Sequence, residues 1–253
     1  MLNTIPHGEA TEKPTLLIAH GLFGSGRNWG VIAKRLADRG RVVAVDMRNH
    51  GTSAWEATQS YFDMAADLAA VIESLGQPVD IVGHSMGGKA AMVLALTRPD
   101  LLRRLIVADI APVAYGHTQL HLINALREVN LNQVERRADA EAQLQGIEDP
   151  ALRSFLLQSL DIKENKWRLN LEVLAEEMPK ILSFPEITGS FEQPTLFLAG
   201  ADSQYVLPEH RPEIKRLFPT ARFAKIPGAG HWLHAEKPRE FEAAVRAFLD
   251  AKI

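Results

Sequence analysis

The chain has 253 residues, 46% hydrophobic and 23% charged, with 28 Lys+Arg against 31 Asp+Glu and a formal net charge of −3. These are the proportions of an ordinary globular protein, and they exclude disordered, collagen-like and disulfide-scaffold classes. Zero cysteine removes disulfides, thiolate catalysis and cysteine-based metal sites together, and a slightly acidic balance gives no electrostatic case for nucleic acid or an anionic membrane.

The pairs Arg103–Arg104 and Arg136–Arg137 read as solvated faces. No apolar run approaches the roughly 18 residues of a membrane span. Met1–Pro14 is polar, carries Glu9 and Glu12, and lacks the basic start and apolar stretch of a signal peptide. The expectation is a cytoplasmic enzyme or binding protein.

In chain order, Thr15–His20 is a short apolar run that suits a strand buried on both faces. Asn28–Arg39 reads as a helix, with Trp29, Ile32, Ala33 and Leu36 on one stripe and Gly40 as its stop. Arg41–Asp46 is the next strand. Ser60, with Asp63 three residues on, opens a helix whose apolar stripe runs from Tyr61 to Leu75. Val79–Gly83 is a third strand, Ser85–Thr97 a helix, and Leu102–Ile110 a fourth strand. Strands alternating with helices imply βαβ units and a mainly parallel sheet.

From Pro112 to about Gln193 no strand is convincing, and helical stripes such as Leu120–Ile123–Leu126 and Leu152–Phe155–Leu156 dominate. The segment Trp167–Leu171 fits either element. Alternation resumes with strands at Thr195–Gly200 and Ala221–Pro227, helices at Pro208–Phe218 and after Pro238. The middle is therefore an insertion of 113–190 into one core made of 1–112 and 191–253. Insertions at that edge tend to cover active sites as lids do.

Gly83-His-Ser85-Met86-Gly87 matches G-x-S-x-G between a strand and a helix, the context of a nucleophile elbow. There the serine Oγ is lifted above the strand ends, and the N–H of Met86 faces the reacting carbonyl. His20-Gly-Leu22-Phe23-Gly24 ends the first strong strand and is placed to supply a second oxyanion donor, Leu22 or, alternatively, Phe23. Gly228-Ala-Gly-His231-Trp232 follows the last strand, and its glycines let His231 reach over the sheet as general base. His234 lies deeper and reads as structural. Phe23 and Trp232 are the candidate substrate contacts. Arg48 reads as a brace between loops, and His50 belongs to no cluster with metal-ligand spacing. Neither a metal nor a cofactor is expected.

Taken together, His20-Gly-Leu-Phe-Gly-Ser25, Asp46-Met-Arg-Asn-His-Gly51, Gly83-His-Ser-Met-Gly-Gly-Lys89, Asp109-Ile-Ala-Pro112 and Gly228-Ala-Gly-His-Trp-Leu-His-Ala-Glu-Lys-Pro238 resemble the α/β-hydrolase superfamily over nearly the whole chain. More narrowly, they resemble the esterase group typified by bacterial YbfF and its mitochondrial relatives in animals. That resemblance implies an α/β fold with a helical cap, and a cofactor-free serine esterase or thioesterase acting on small acyl esters through a Ser-His-Asp triad. In most of the superfamily the acid follows the strand after the cap. Here Gly200-Ala-Asp202-Ser203 places serine at that spot and Asp202 one residue early. Asp109 instead ends the strand beside the one feeding Ser85, one spacing of about 4.8 Å away. The resemblance supports Asp109, with Asp202 as the alternative. Two rival readings remain at this point: another reaction of the same fold, such as C–C bond hydrolysis or perhydrolysis, and a hydrolase-like binding protein without turnover.

Overall fold

The computed structural model describes residues 1–252; Ile253, the last residue of the expected core, lies outside the described residues. Nine strands run in chain order: β1 (Asn3–His7), β2 (Leu16–Ala19), β3 (Val42–Asp46), β4 (Val79–His84), β5 (Leu102–Ala108), β6 (Leu160–Asp161), β7 (Lys166–Trp167), β8 (Thr195–Gly200) and β9 (Arg222–Ile226). Seven of them form one sheet in the order β1-β3-β2-β4-β5-β8-β9, parallel throughout except for the antiparallel β1–β3 pair. The chain is an α/β hydrolase fold, a mainly parallel sheet flanked by helices.

Side chains alternate along each strand and feed two cores. Leu17, Ala19, Val43, Val45, Ile81 and Val107 point to one side. Leu16, Ile18, Val42, Ala44, Val82 and Ile106 point to the other. The second core is closed by α1 (Gly30–Leu36) and the C-terminal helix (Pro238–Asp250), whose Phe241, Val245, Phe248 and Leu249 form its buried stripe. Burying one such side chain stabilises by roughly 1.5–3 kcal/mol. The first core is closed by α2 (Tyr61–Leu75) and α3 (Met86–Thr97). Ser60 caps α2 by accepting the Asp63 N–H, and Gly76 ends it in the left-handed conformation.

Two expectations change. The N-terminal segment, read only as polar, contains edge strand β1 ahead of the first expected strand; its residues alternate half-buried and exposed, and Pro6 is tolerated because an edge strand has one unpaired side. Arg104, read as solvated, donates to the carbonyls of Phe248, Leu249 and Ala251, satisfying the open end of the C-terminal helix.

Between β5 and β8 the chain leaves the sheet. It forms α4 (Leu120–Glu128), α5 (Arg137–Gln143), α6 (Pro150–Leu157), the β6–β7 ribbon, α7 (Leu171–Glu176) and α8 (Met178–Leu182). The ambiguous segment resolves as strand and then helix: Trp167 ends β7 and donates its indole N–H to Leu126 O at 3.0 Å, while Leu171 opens α7. The insertion rests on the loop after β3, through Asn170 N–H to Asn49 O at 3.0 Å and Gln59 N–H to Glu177 Oε2 at 3.1 Å. The helices α9 (Arg211–Leu217), α10 (Leu233–Glu236) and α11 (the C-terminal helix) complete the core. Among the described residues, no helix is long and apolar enough to cross a membrane.

Strand order reverses between β2 and β4, and loops leaving the C-terminal ends of parallel strands at such a point form a crevice. The turn from β4 to α3 is packed against β2 so closely that side chains are excluded. A Cβ on Gly83 would lie 2.4 Å from Gly87 O, and one on Gly87 would lie 2.5 Å from Ala19 O and His20 O. Gly83→Ala is expected to cost about 4 kcal/mol or more. The melting temperature should then fall by roughly 8–16 °C. At Gly30 the backbone is already helical and nothing lies within 4 Å, so Gly30→Ala should be neutral or stabilising. Thermal unfolding followed by circular dichroism measures both, and equal losses would mean that the turn is not under steric constraint.

Candidate active site

The site is assembled where β2, β4, β5 and β9 end. Ser85 stands between β4 and α3 with φ 52° and ψ −119°, a conformation an L-residue adopts only under constraint. Its N–H is tied to Ala108 O at 3.0 Å. Its Oγ lies 3.1 Å from His231 Nε2. The His231 Nδ1 lies 2.7 Å from Asp109 Oδ2.

Asp109 is fully buried, just past β5, and also left-handed at φ 53°. Its carboxylate accepts three hydrogen bonds: Gly200 N–H on Oδ1 at 3.0 Å, and Ser203 Oγ–H at 2.5 Å and His231 Nδ1–H on Oδ2. Asp202, the alternative acid, has an exposed side chain, and only its main-chain N–H reaches the histidine loop, at Ala229 O. The carboxylate against His231 is that of Asp109. Ser203, standing where the usual acid would be, has become a donor to it.

The loop carrying His231 is held at several points that the motifs did not reveal. Buried His84, the variable residue of G-x-S-x-G, donates Nε2–H to His231 O at 2.8 Å. Glu236 accepts the N–H groups of Gly230 at 2.6 Å and Trp232 at 3.2 Å. The Tyr205 ring stacks on the His231 imidazole, with centroids 4.0 Å apart and planes at 24°. A carboxylate five residues after a glycine-flanked histidine was the one available signal for Glu236; Tyr205 left none.

The oxyanion candidates separate cleanly. The N–H of Met86, at the first position of α3, and the N–H of Leu22 find no acceptor among the described residues. Phe23 N–H is donated to His50 Nε2 at 3.2 Å, so the Phe23 alternative is spent. His50 and His20 brace the two loops reciprocally. His20 Nε2 accepts Met47 N–H at 2.9 Å while its Nδ1–H is given to Gly21 O. His50 Nδ1–H is given to Arg48 O. Arg48 itself clamps Asp67 on α2 at 2.6 Å and 3.0 Å, as a brace between loop and helix. His234 stacks flat on Trp29 at 4.1 Å.

A cavity of about 280 Å³ opens above Ser85, walled by Leu22, Ile110, Leu122, Leu152, Phe155 and Leu182. Phe23 and Trp232, the candidate substrate contacts, also line it. Its wall is drawn from both core and insertion. Among the described residues, no group of three or more His, Asp or Glu side chains is arranged to hold a metal ion.

The sequence model of the alpha/beta hydrolase family matches residues 16–244. The chain belongs to the alpha/beta hydrolase family. This hydrolase is 43% identical to the mouse (Mus musculus) protein named sn-1-specific diacylglycerol lipase ABHD11, covering 96% of this chain and 82% of that one. It is 37% identical to esterase YbfF of Escherichia coli, covering 93% and 92% of the two chains. A solved structure titled marine microorganism esterase superposes with a TM-score of 0.92 at 38% identity, covering 98% of each. The hydrolase is a carboxylic ester hydrolase and resembles YbfF, as its five motifs imply.

Four imidazoles around this site are held neutral. Burial pulls His20, His50, His84 and His234 below the ordinary imidazole range, His50 and His234 to about 3. The unfolded chain therefore takes up more protons than the folded one between the ordinary imidazole value of 6.5 and about 3. The stability these groups permit is whole above that window and is lost as pH falls through it. Urea midpoints should fall steeply from about pH 7 to about pH 5. His50→Gln, which keeps an acceptor for Phe23 N–H, should flatten that fall; an unchanged slope would clear His50 of the acid sensitivity.

Proposed function

We propose that this hydrolase cleaves small acyl esters by a serine mechanism, with Ser85 as nucleophile, His231 as base and Asp109 as acid. The observation that carries the reading is the continuous line from Ser85 Oγ through His231 to a fully buried Asp109, beside two main-chain N–H groups with no internal acceptor. Asp109 accepts only, so the imidazole proton sits on Nδ1 and Nε2 is left as base.

Ser85 Oγ attacks the ester carbonyl and loses its proton to His231 Nε2. The N–H groups of Leu22 and Met86 receive the oxyanion. His231 then protonates the leaving alcohol, and the acyl-enzyme is opened by a water that His231 deprotonates. Gly200 N–H and Ser203 Oγ–H hold the Asp109 carboxylate still while the imidazolium forms. An apolar cavity wall suits an aliphatic acyl chain, and the name of the mouse relative points to glycerolipid esters as one class to screen. A thioester would pass through the same steps with a thiol leaving group. Within this reading the chain divides into a catalytic core, 1–112 and 191–253, and a cap, 113–190, which supplies part of the acyl wall.

Ser85→Ala should abolish ester turnover and covalent labelling by a fluorophosphonate while leaving the circular dichroism spectrum unchanged. Asp109→Asn should lower turnover by on the order of 10⁴, the loss seen when a triad aspartate is neutralised. Asp202→Asn should retain nearly full activity. Full turnover by Ser85→Ala, or a crippling loss confined to Asp202→Asn, would overturn the assignment.

A further inference from the structure

Lys89 lies one turn beyond Ser85 on α3 and is almost wholly buried. The helix gives it no alternative, since ten of its residues, from Met86 to Ala95, are buried and it has no solvent face. A buried ammonium is tolerated only where its hydrogen-bonding capacity is met. Here Nζ meets three main-chain carbonyls: Val113 at 2.8 Å, Leu182 at 3.1 Å and Ser183 at 2.6 Å. The ring faces of Tyr115 at 4.8 Å and Tyr61 at 5.6 Å complete its surroundings. Among the described residues, no carboxylate is within ion-pairing distance of it.

Those carbonyls belong to the two stems of the insertion. Val113 is where it leaves the core, and Leu182–Ser183 is where its last helix ends. The stems are joined to each other by Tyr115 N–H to Leu182 O at 3.0 Å, and Tyr61 on α2 donates its hydroxyl to Ile181 O at 2.5 Å. Tyr61, Lys89, Tyr115, Ile181 and Leu182 all line the cavity above Ser85. One cation thus fixes both ends of the wall against which an acyl chain would lie.

We infer that Lys89 is a positioning residue for acyl selectivity, a clasp that pins both stems of the insertion to the helix carrying the nucleophile. The inference rests on the acyl-ester reading above for its substrate, but not for its geometry. Three carbonyl acceptors are matched only by an ammonium, because a neutral amine offers two N–H donors. Burial pulls this group down to about 7, so its third proton is easily lost, whereas the three carbonyls are all served only while it is kept. An apolar side chain in its place would leave the carbonyls of Val113 and Ser183 unpaired and that of Leu182 with the Tyr115 N–H alone.

The test compares wild type with Lys89→Met and Lys89→Gln. Hydrogen exchange is read at the Tyr115 amide and, as an internal reference, at the amides of β4. Steady-state kinetics are read with p-nitrophenyl acetate and p-nitrophenyl octanoate. Loss of charge-assisted bonds to both stems should speed Tyr115 exchange about tenfold or more while β4 stays protected. The octanoate-to-acetate ratio of kcat/KM should shift by a similar factor, carried mainly by KM for octanoate. Lys89→Gln, which keeps two donors, should fall between wild type and Lys89→Met. An unaltered ratio, exchange that rises equally in β4, or failure of both variants to fold would overturn the clasp. If wild type hydrolyses neither ester, the functional reading fails, and exchange at Tyr115 still decides the clasp.

Discussion

Four neighbouring strands, β3, β2, β4 and β5, are each followed by a non-glycine residue in the left-handed conformation: Asn49, Phe23, Ser85 and Asp109. Each such residue costs on the order of 1 kcal/mol or more, and it persists only where its surroundings over-determine it. Those surroundings are visible. Asn49 is fixed by bonds from Glu56, Asn170 and its own amide to Gln59. Phe23 is fixed through His50, Ser85 through Ala108, and Asp109 through Leu198 O. One row of sharp turns at one edge of the sheet thereby gathers a hydroxyl, a carboxylate and free N–H groups into a single crevice.

Histidine has two separate uses around this crevice. His231 is half-buried between a carboxylate and a hydroxyl, the place the proposed mechanism gives to its base. His20, His50 and His84 are buried and spend their ring nitrogens on main-chain groups, as flat connectors between loops. An imidazole suits that second use because its neutral form carries one donor and one acceptor on opposite edges. A charged side chain of similar reach would carry a desolvation cost that the connectors avoid.

The parallel strands were legible because burial on both faces writes them as continuous apolar runs bounded by glycine. The elbow and Asp109 were legible because each sits at the end of such a run, and the histidine loop was legible through the glycines before His231. Edge strand β1 was not, since Asn3, Pro6 and His7 carry no apolar run and its pairing with β3 is non-local. The insertion resisted reading for a different reason: its helices are five to nine residues long, too short to carry more than two apolar turns, and their buried sides are defined by partners far away in sequence. Ser203 and Tyr205 were hidden because their partners, Asp109 and His231, meet only after folding. Lys89 closed the elbow motif with no role of its own, because the carbonyls it meets, of Val113, Leu182 and Ser183, also reach it only after folding.

The stems of the insertion meet, Tyr115 against Leu182, before either chain direction has travelled far from the sheet. For β5 and β8, which must lie side by side, everything between those two residues is topologically a tight connection with a closed mouth. Segments can be lengthened, shortened or exchanged inside that mouth at a cost that grows only slowly with loop length, without disturbing strand register. The architecture therefore separates the chain into a part whose length is set by strand register and a part whose length is not.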